Sequence, residues 1–161
     1  MESRALVVID IQNDITKNYK DVIDNINAAI GWAVSKNMHI AYIKHNNLSP
    51  FIPKFKPNTK GVDFVSEMKI ASENVFVKNK SNALTSKEFV DFINKNKIKE
   101  FYVAGADAVA CVKATCTSMA QSGYAVHILA DCITSYNRKK IPQMLKYYER
   151  KGCIVEHSRI A

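Results

Sequence analysis

Short, β-branched apolar runs alternate along this chain with segments whose apolar residues recur at helical spacing, and few folds accommodate that alternation. The first run, Ala5-Leu6-Val7-Val8-Ile9, is unbroken and ends at Asp10. Continuous apolar runs of this length mark parallel strands buried on both faces. From about Asp21 to Ser35 the residues Val22, Ile23, Ile26, Ile30, Ala33 and Val34 share one helical face. Further strands are predicted at residues 39–43, 74–77, 101–104, 125–130 and 153–156, the fourth of the six closed by Gly105. Further helices are predicted behind Thr85, from Val109 to Ser122 ahead of Gly123, and from Ile141 to Lys151 ahead of Gly152. Thr85-Ser86-Lys87-Glu88 fits a capping box with Thr85 as the cap. Residues 45 to about 66 hold Pro50, Pro53 and Pro57 and read as a long loop of the functional kind. The whole pattern predicts one α/β domain over residues 1–161, a doubly wound three-layer α/β/α sandwich with about six mainly parallel strands.

Charge and cysteine usage narrow the function classes. The chain carries 23 Lys and Arg against 15 Asp and Glu, a net charge of +8. These cations form no single block, and many sit beside Asn or Ser near element ends, as at Lys17, Lys36, Lys95 and Lys97. Without aromatic–basic interleaving they predict a solvated surface and no nucleic-acid partner. Cys111, Cys116, Cys132 and Cys153 form no CxxC pair and no zinc-type Cys/His spacing. The start Met1-Glu2-Ser3-Arg4 lacks a signal-peptide run, and no apolar stretch reaches membrane-spanning length. Reduced thiols, a cytoplasmic location and no membrane partner are expected.

In open parallel sheets ligands bind beyond the carboxyl ends of the strands, so the residues just past those ends carry the candidate chemistry. Asp10 follows the first strand; a partly desolvated carboxylate there is placed to accept a proton, or simply to cap a loop. Lys78 follows the third strand and could pair with Asp10, although a lone lysine in so basic a chain is ordinarily surface. After the fourth strand, Gly105-Ala106-Asp107-Ala108-Val109-Ala110-Cys111 leads into a helix with Cys111 in its first turn. A helix N-terminus lowers a thiol pKa and offers free N–H groups to an oxyanion. With Asp10 as the base for Cys111, Asp10→Asn is expected to raise the thiol pKa. The alternative for Cys111 is a small buried core thiol. Three suitable groups ending three strands on one sheet edge nevertheless point to a nucleophile with its supporting acid–base pair.

At these residues the sequence resembles the isochorismatase-like cysteine hydrolase superfamily. The resemblance rests on Ala5 through Asp14, on Lys78 with Asn82-Ala83-Leu84, and on Gly105 followed by Cys111-Val112 and Ala114-Thr115 through to Gly123-Tyr124, with Asp131 after the fifth strand. It implies a Cys111–Asp10–Lys78 triad that hydrolyses a small-molecule C–N bond through a thioester. It also implies a non-proline cis peptide between Ala106 and Asp107, with the N–H groups of Asp107 and Cys111 as oxyanion hole. Gln12, Ile15 and Leu84, next to these segments, are candidate substrate contacts. The family commonly has a threonine where this chain has Ala108, and Ser-Ala-Phe where it has Asn82-Ala83-Leu84. Nicotinamidases of the superfamily carry an Asp-x-His and a further His after the second strand; here that segment is Lys44-His45-Asn46-Asn47-Leu48. A lone His45 does not make that site, so neither metal nor other cofactor is expected. Family members that cleave a vinyl ether often lack the cysteine, which sets Cys111 on the side of C–N hydrolysis. A catalytically silent binding or scaffold protein is the alternative that Ala108 raises. The resemblance also implies a homo-oligomer, a dimer or larger.

Overall fold

The computed structural model describes residues 3–15 and 17–157. In chain order the elements are β1 (Arg4–Ile9), α1 (Ile23–Ser35), β2 (His39–His45), β3 (Val75–Lys78), α2 (Lys87–Lys95), β4 (Glu100–Gly105), α3 (Cys111–Gln121), β5 (Ala125–Ile133), α4 (Ile141–Arg150) and β6 (Ile154–Glu156). The six strands form one sheet in the order β3-β2-β1-β4-β5-β6, and every pairing is parallel.

Alternation along β1 explains the layers. Ala5, Val7 and Ile9 face a cluster built with Phe89, Ile93, Val112, Cys116, Met119 and Tyr148, so α2, α3 and α4 share that side. Leu6 and Val8 face the other cluster with Ile23, Ile26, Ile30 and Ala33 of α1. The expected coverage of both faces holds, unevenly: one helix lies on one side and three on the other. The unevenness arises because the connection from β2 to β3 contains no α-helix. As expected of the proline-rich stretch, it is irregular, with one short 3₁₀ turn at Lys60–Val62 and a single antiparallel bridge between Gln12 and Phe64.

Element boundaries differ from the sequence reading by one to three residues, and two of the differences bear on local structure. The cap of α2 is Ser86, whose Oγ accepts from the Phe89 N–H at 3.3 Å. Thr85 instead closes the preceding 3₁₀ turn, its hydroxyl donating to the Asn82 carbonyl at 2.6 Å. β5 continues through Asp131 to Ile133, so Asp131 lies within a strand and its carbonyl accepts from Asn25. Among the described residues no helix is long and apolar enough to cross a membrane.

The order of the sheet defines where its ends converge. The chain leaves β1 towards β2 and β3, then returns to the other flank of β1 as β4. The crevice between the carboxyl ends of β1 and β4 is therefore the switch point at which such sheets bind ligands. Gly105 permits the close approach: it pairs with Ile9, has φ of 120°, and a Cβ there would collide with the Ile9 carbonyl.

Candidate active site

Each strand end contributes one side chain. Asp10 follows β1 in the left-handed region, with φ of 55°, and its N–H donates to the Ile43 carbonyl at 3.0 Å. That turn directs a carboxylate into the crevice. Lys78 closes β3, two strands away, in register with His45 at the end of β2. Cys111 opens α3 directly after the turn that leaves β4. The three residues named from the sequence are thus brought together. Lys78 Nζ donates to Asp10 Oδ2 at 3.0 Å and to Cys111 Sγ at 3.3 Å.

A fourth residue completes the group. Lys78 Nζ also lies 2.9 Å from His45 Nδ1. The ammonium is fully buried and has three N–H bonds for these three acceptors. Asp10, His45 and Cys111 offer one ligand atom each within 4.8 Å of one another, a donor set able to hold a metal ion. The Lys78 ammonium contacts all three donors, so it fills the place where such an ion would sit. The donor set fits a metal only if Lys78 leaves it.

Electrostatics follow from burial. Desolvation pushes the Asp10 carboxyl above its ordinary range, opposed by the charge of Lys78 and the approach of the Cys111 thiol. Desolvation, reinforced by the Asp10 charge and opposed by Lys78, pushes the Cys111 thiol up to about 12. This differs from the expectation drawn from the helix start: burial first, and then the Asp10 charge, raise the thiol. In the resting site the proton lies on sulfur, with Asp10 beside it. His45 is held down at about 4 by burial and by Lys78, so its imidazole is neutral.

The turn before α3 is cis at Ala106–Asp107, at the bond expected from the resemblance. The Asp107 carboxylate caps this turn, accepting from the N–H groups of Val109 and Tyr136, each at 2.9 Å. The Asp107 carbonyl accepts from Ala110 and Val112, and the Ala108 N–H donates to Thr134. Ala108 itself is buried in the apolar cluster beneath the turn, and its carbonyl accepts from the Tyr148 hydroxyl. The turn therefore keeps its form without a threonine hydroxyl at this position.

A cavity of about 760 Å³ opens above the group, lined among others by Asp10, Ile15, His45, Asp107 and Cys111. Ile15 is a wall residue. Gln12 and Leu84 are not. Gln12 is buried, donating from Nε2 to the carbonyls of His45 (3.0 Å) and Val62 (2.7 Å) and accepting from the His45 N–H at 2.9 Å. It ties strand ends together and has no polar atom left for a ligand. Leu84 packs against the apolar cluster below. Sequence reasoning missed further wall residues, among them Phe55, Asn47 and Tyr136. The proline-rich loop signalled that one segment would lie here, without saying which of its side chains turn inward.

A nucleophile-type cysteine joined through a buried lysine to an aspartate, at the switch point of an open parallel sheet, defines a cysteine-centred α/β site. A sequence model of the Isochorismatase domain matches residues 4–159. The isochorismatase family protein YddQ of Bacillus subtilis (strain 168) is 31% identical over 143 residues, covering 81% of this chain and 78% of YddQ. The chain therefore belongs to the isochorismatase family of hydrolases. Solved structures share the fold at low identity. The pyrazinamidase of Pyrococcus horikoshii in complex with zinc superimposes with a TM-score of 0.87 at 19% identity, over 97% of this chain and 99% of that one. The N-carbamoylsarcosine amidase of Thermoplasma acidophilum superimposes with a TM-score of 0.86 at 19% identity, over 97% of this chain and 96% of that one.

Proposed function

We propose that this protein hydrolyses an amide- or imide-like C–N bond of a small molecule through a Cys111 thioester, without a catalytic metal. The observation that carries the proposal is the contact of one buried ammonium, Lys78 Nζ, with both Asp10 and Cys111 at the cavity floor. Two of the structural neighbours bear the names of amidases, which act on the same kind of bond.

In the first half-reaction Cys111 Sγ attacks the carbonyl carbon while its proton passes to Asp10. The carbonyl oxygen becomes an oxyanion. The backbone N–H groups of Asp107 and Cys111, which the family resemblance implies as the oxyanion hole, are its donors in this reading. Collapse of the intermediate breaks the C–N bond, and the leaving nitrogen takes the proton from Asp10. In the second half-reaction water attacks the thioester, again giving a proton to Asp10, and the thiol leaves with that proton. Lys78 holds the carboxylate in place and balances its charge as the proton moves.

The test is a screen of small amides for ammonia release by the purified protein, with Cys111→Ala as control. Cys111-dependent release supports the proposal. Release unchanged in Cys111→Ala removes Cys111 as nucleophile, and no release from any amide in a broad panel favours a silent binding protein.

A further inference from the structure

We infer that His45 is a positioning residue of this site: its imidazole accepts a hydrogen bond from Lys78 through Nδ1 and so fixes the ammonium against Asp10 and Cys111. The inference rests on the cysteine-hydrolase reading and adds a residue to it.

An ammonium has donors only, so at 2.9 Å from Lys78 Nζ the Nδ1 atom must be the acceptor, and the ring proton belongs on Nε2. This bond uses the third N–H of a lysine whose other two go to Asp10 and Cys111. The Lys78 side chain is fully buried. Without His45 one N–H would therefore lack a partner, or the ammonium would turn from the thiol to find one. His45 is itself held from two sides. The buried Gln12 amide clasps its N–H and its carbonyl, at 2.9 and 3.0 Å. Its ring meets Phe55 edge to face, with centroids 5.6 Å apart. Phe55 stands in turn in the left-handed region, φ 58°, with its N–H donated to Asp14 Oδ2 at 2.7 Å. A ring secured in this manner, with its only described polar contact on the lysine of the triad, works through that lysine.

Two measurements test this without knowledge of the substrate. ¹⁵N NMR of the histidine rings in the intact protein at neutral pH should show His45 with an unprotonated, hydrogen-bonded Nδ1 and a protonated Nε2. A proton on Nδ1 would overturn the inference. The second measurement is the rate of iodoacetamide alkylation at Cys111, with the Cys111→Ala protein as blank. Only the thiolate is alkylated, and Lys78 favours it. His45→Leu should therefore react about ten-fold more slowly than wild type, the scale of one lost hydrogen bond to a charged group. His45→Asn restores an acceptor close to the Nδ1 position and should recover most of that loss. Wild-type reactivity in His45→Leu, or equal loss in both variants, would contradict the inference. If His45→Leu fails to fold, the ring tautomer and the His45→Asn rate decide. Failure of the hydrolase reading appears elsewhere, as turnover surviving in Cys111→Ala.

Discussion

Asp10 combines two demands that pull against each other. As a proton acceptor it must be ionised, and its place at the end of a fully buried strand makes ionisation costly, which is why its pKa is pushed up. Lys78 offsets that cost from 3.0 Å. Removing one partner leaves an uncompensated buried charge, so Lys78→Met should lower unfolding stability by about 3–5 kcal/mol. The pair Asp10→Asn with Lys78→Met should regain most of that, and chemical denaturation of the two variants checks it. Asp10→Asn alone separates charge from catalysis. The Asp10 charge raises the Cys111 pKa, so this variant should titrate its thiol at lower pH than wild type while losing turnover for want of the base. A thiol pKa that rose instead would contradict the part assigned to the Asp10 charge. Gln12, next but one in the chain, shows what strand-end sequence cannot say. Its neighbours Asp10 and Ile15 reach the cavity, whereas its own amide turns inward to serve the backbone of His45 and Val62.

At the scale of elements, the strands and helices were legible because their apolar period is strong. Five of the six strands keep their core in place within a residue or two, and α3 and α4 stop before Gly123 and Gly152, with φ of 90° and 92°. Local capping was less legible, since Thr85 and Ser86 are chemically equivalent candidates one residue apart. Ser86→Ala should cost about 1 kcal/mol of stability through loss of the N-cap, and Thr85→Ala clearly less; thermal denaturation distinguishes the two. The role of His45 was hidden for a different reason. Its meeting with Lys78 depends on the register of β2 against β3, which is set by pairing across a connection of irregular chain and not by any local pattern. Read in isolation, His45 is a lone histidine with no local pattern to pair it with Lys78. Gly105 is the element-scale keystone. Gly105→Ala would place a Cβ against the Ile9 carbonyl at a φ that L-residues rarely adopt, separating β1 from β4, and the variant should be both less stable and less active.

For the whole molecule, the site exists because three strand ends that are far apart in sequence meet at one edge of one sheet. The β1/β4 switch point supplies the crevice, β3 reaches across β2 to supply the lysine, and the β2–β3 loop supplies much of the wall. The sequence pointed to the edge and to the triad; the wall depends on how the loop packs, and that has no periodic signature. A molecule organised in this manner has a characteristic pH response. Turnover needs Asp10 ionised, and burial lifts its pKa above the ordinary value, so kcat/KM should rise with pH along an acid limb lying above pH of about 4. The Cys111 thiol, at about 12, adds no limb near neutrality. A limb at or below pH 4 would mean that Asp10 is not the group titrating. The most direct measurement of the central claim is the mass of the protein quenched in acid during turnover of an amide that releases ammonia. The account predicts an added acyl group that maps to the Cys111 peptide and is absent from Cys111→Ala. Turnover with no acyl adduct, or with the adduct on another residue, would contradict it.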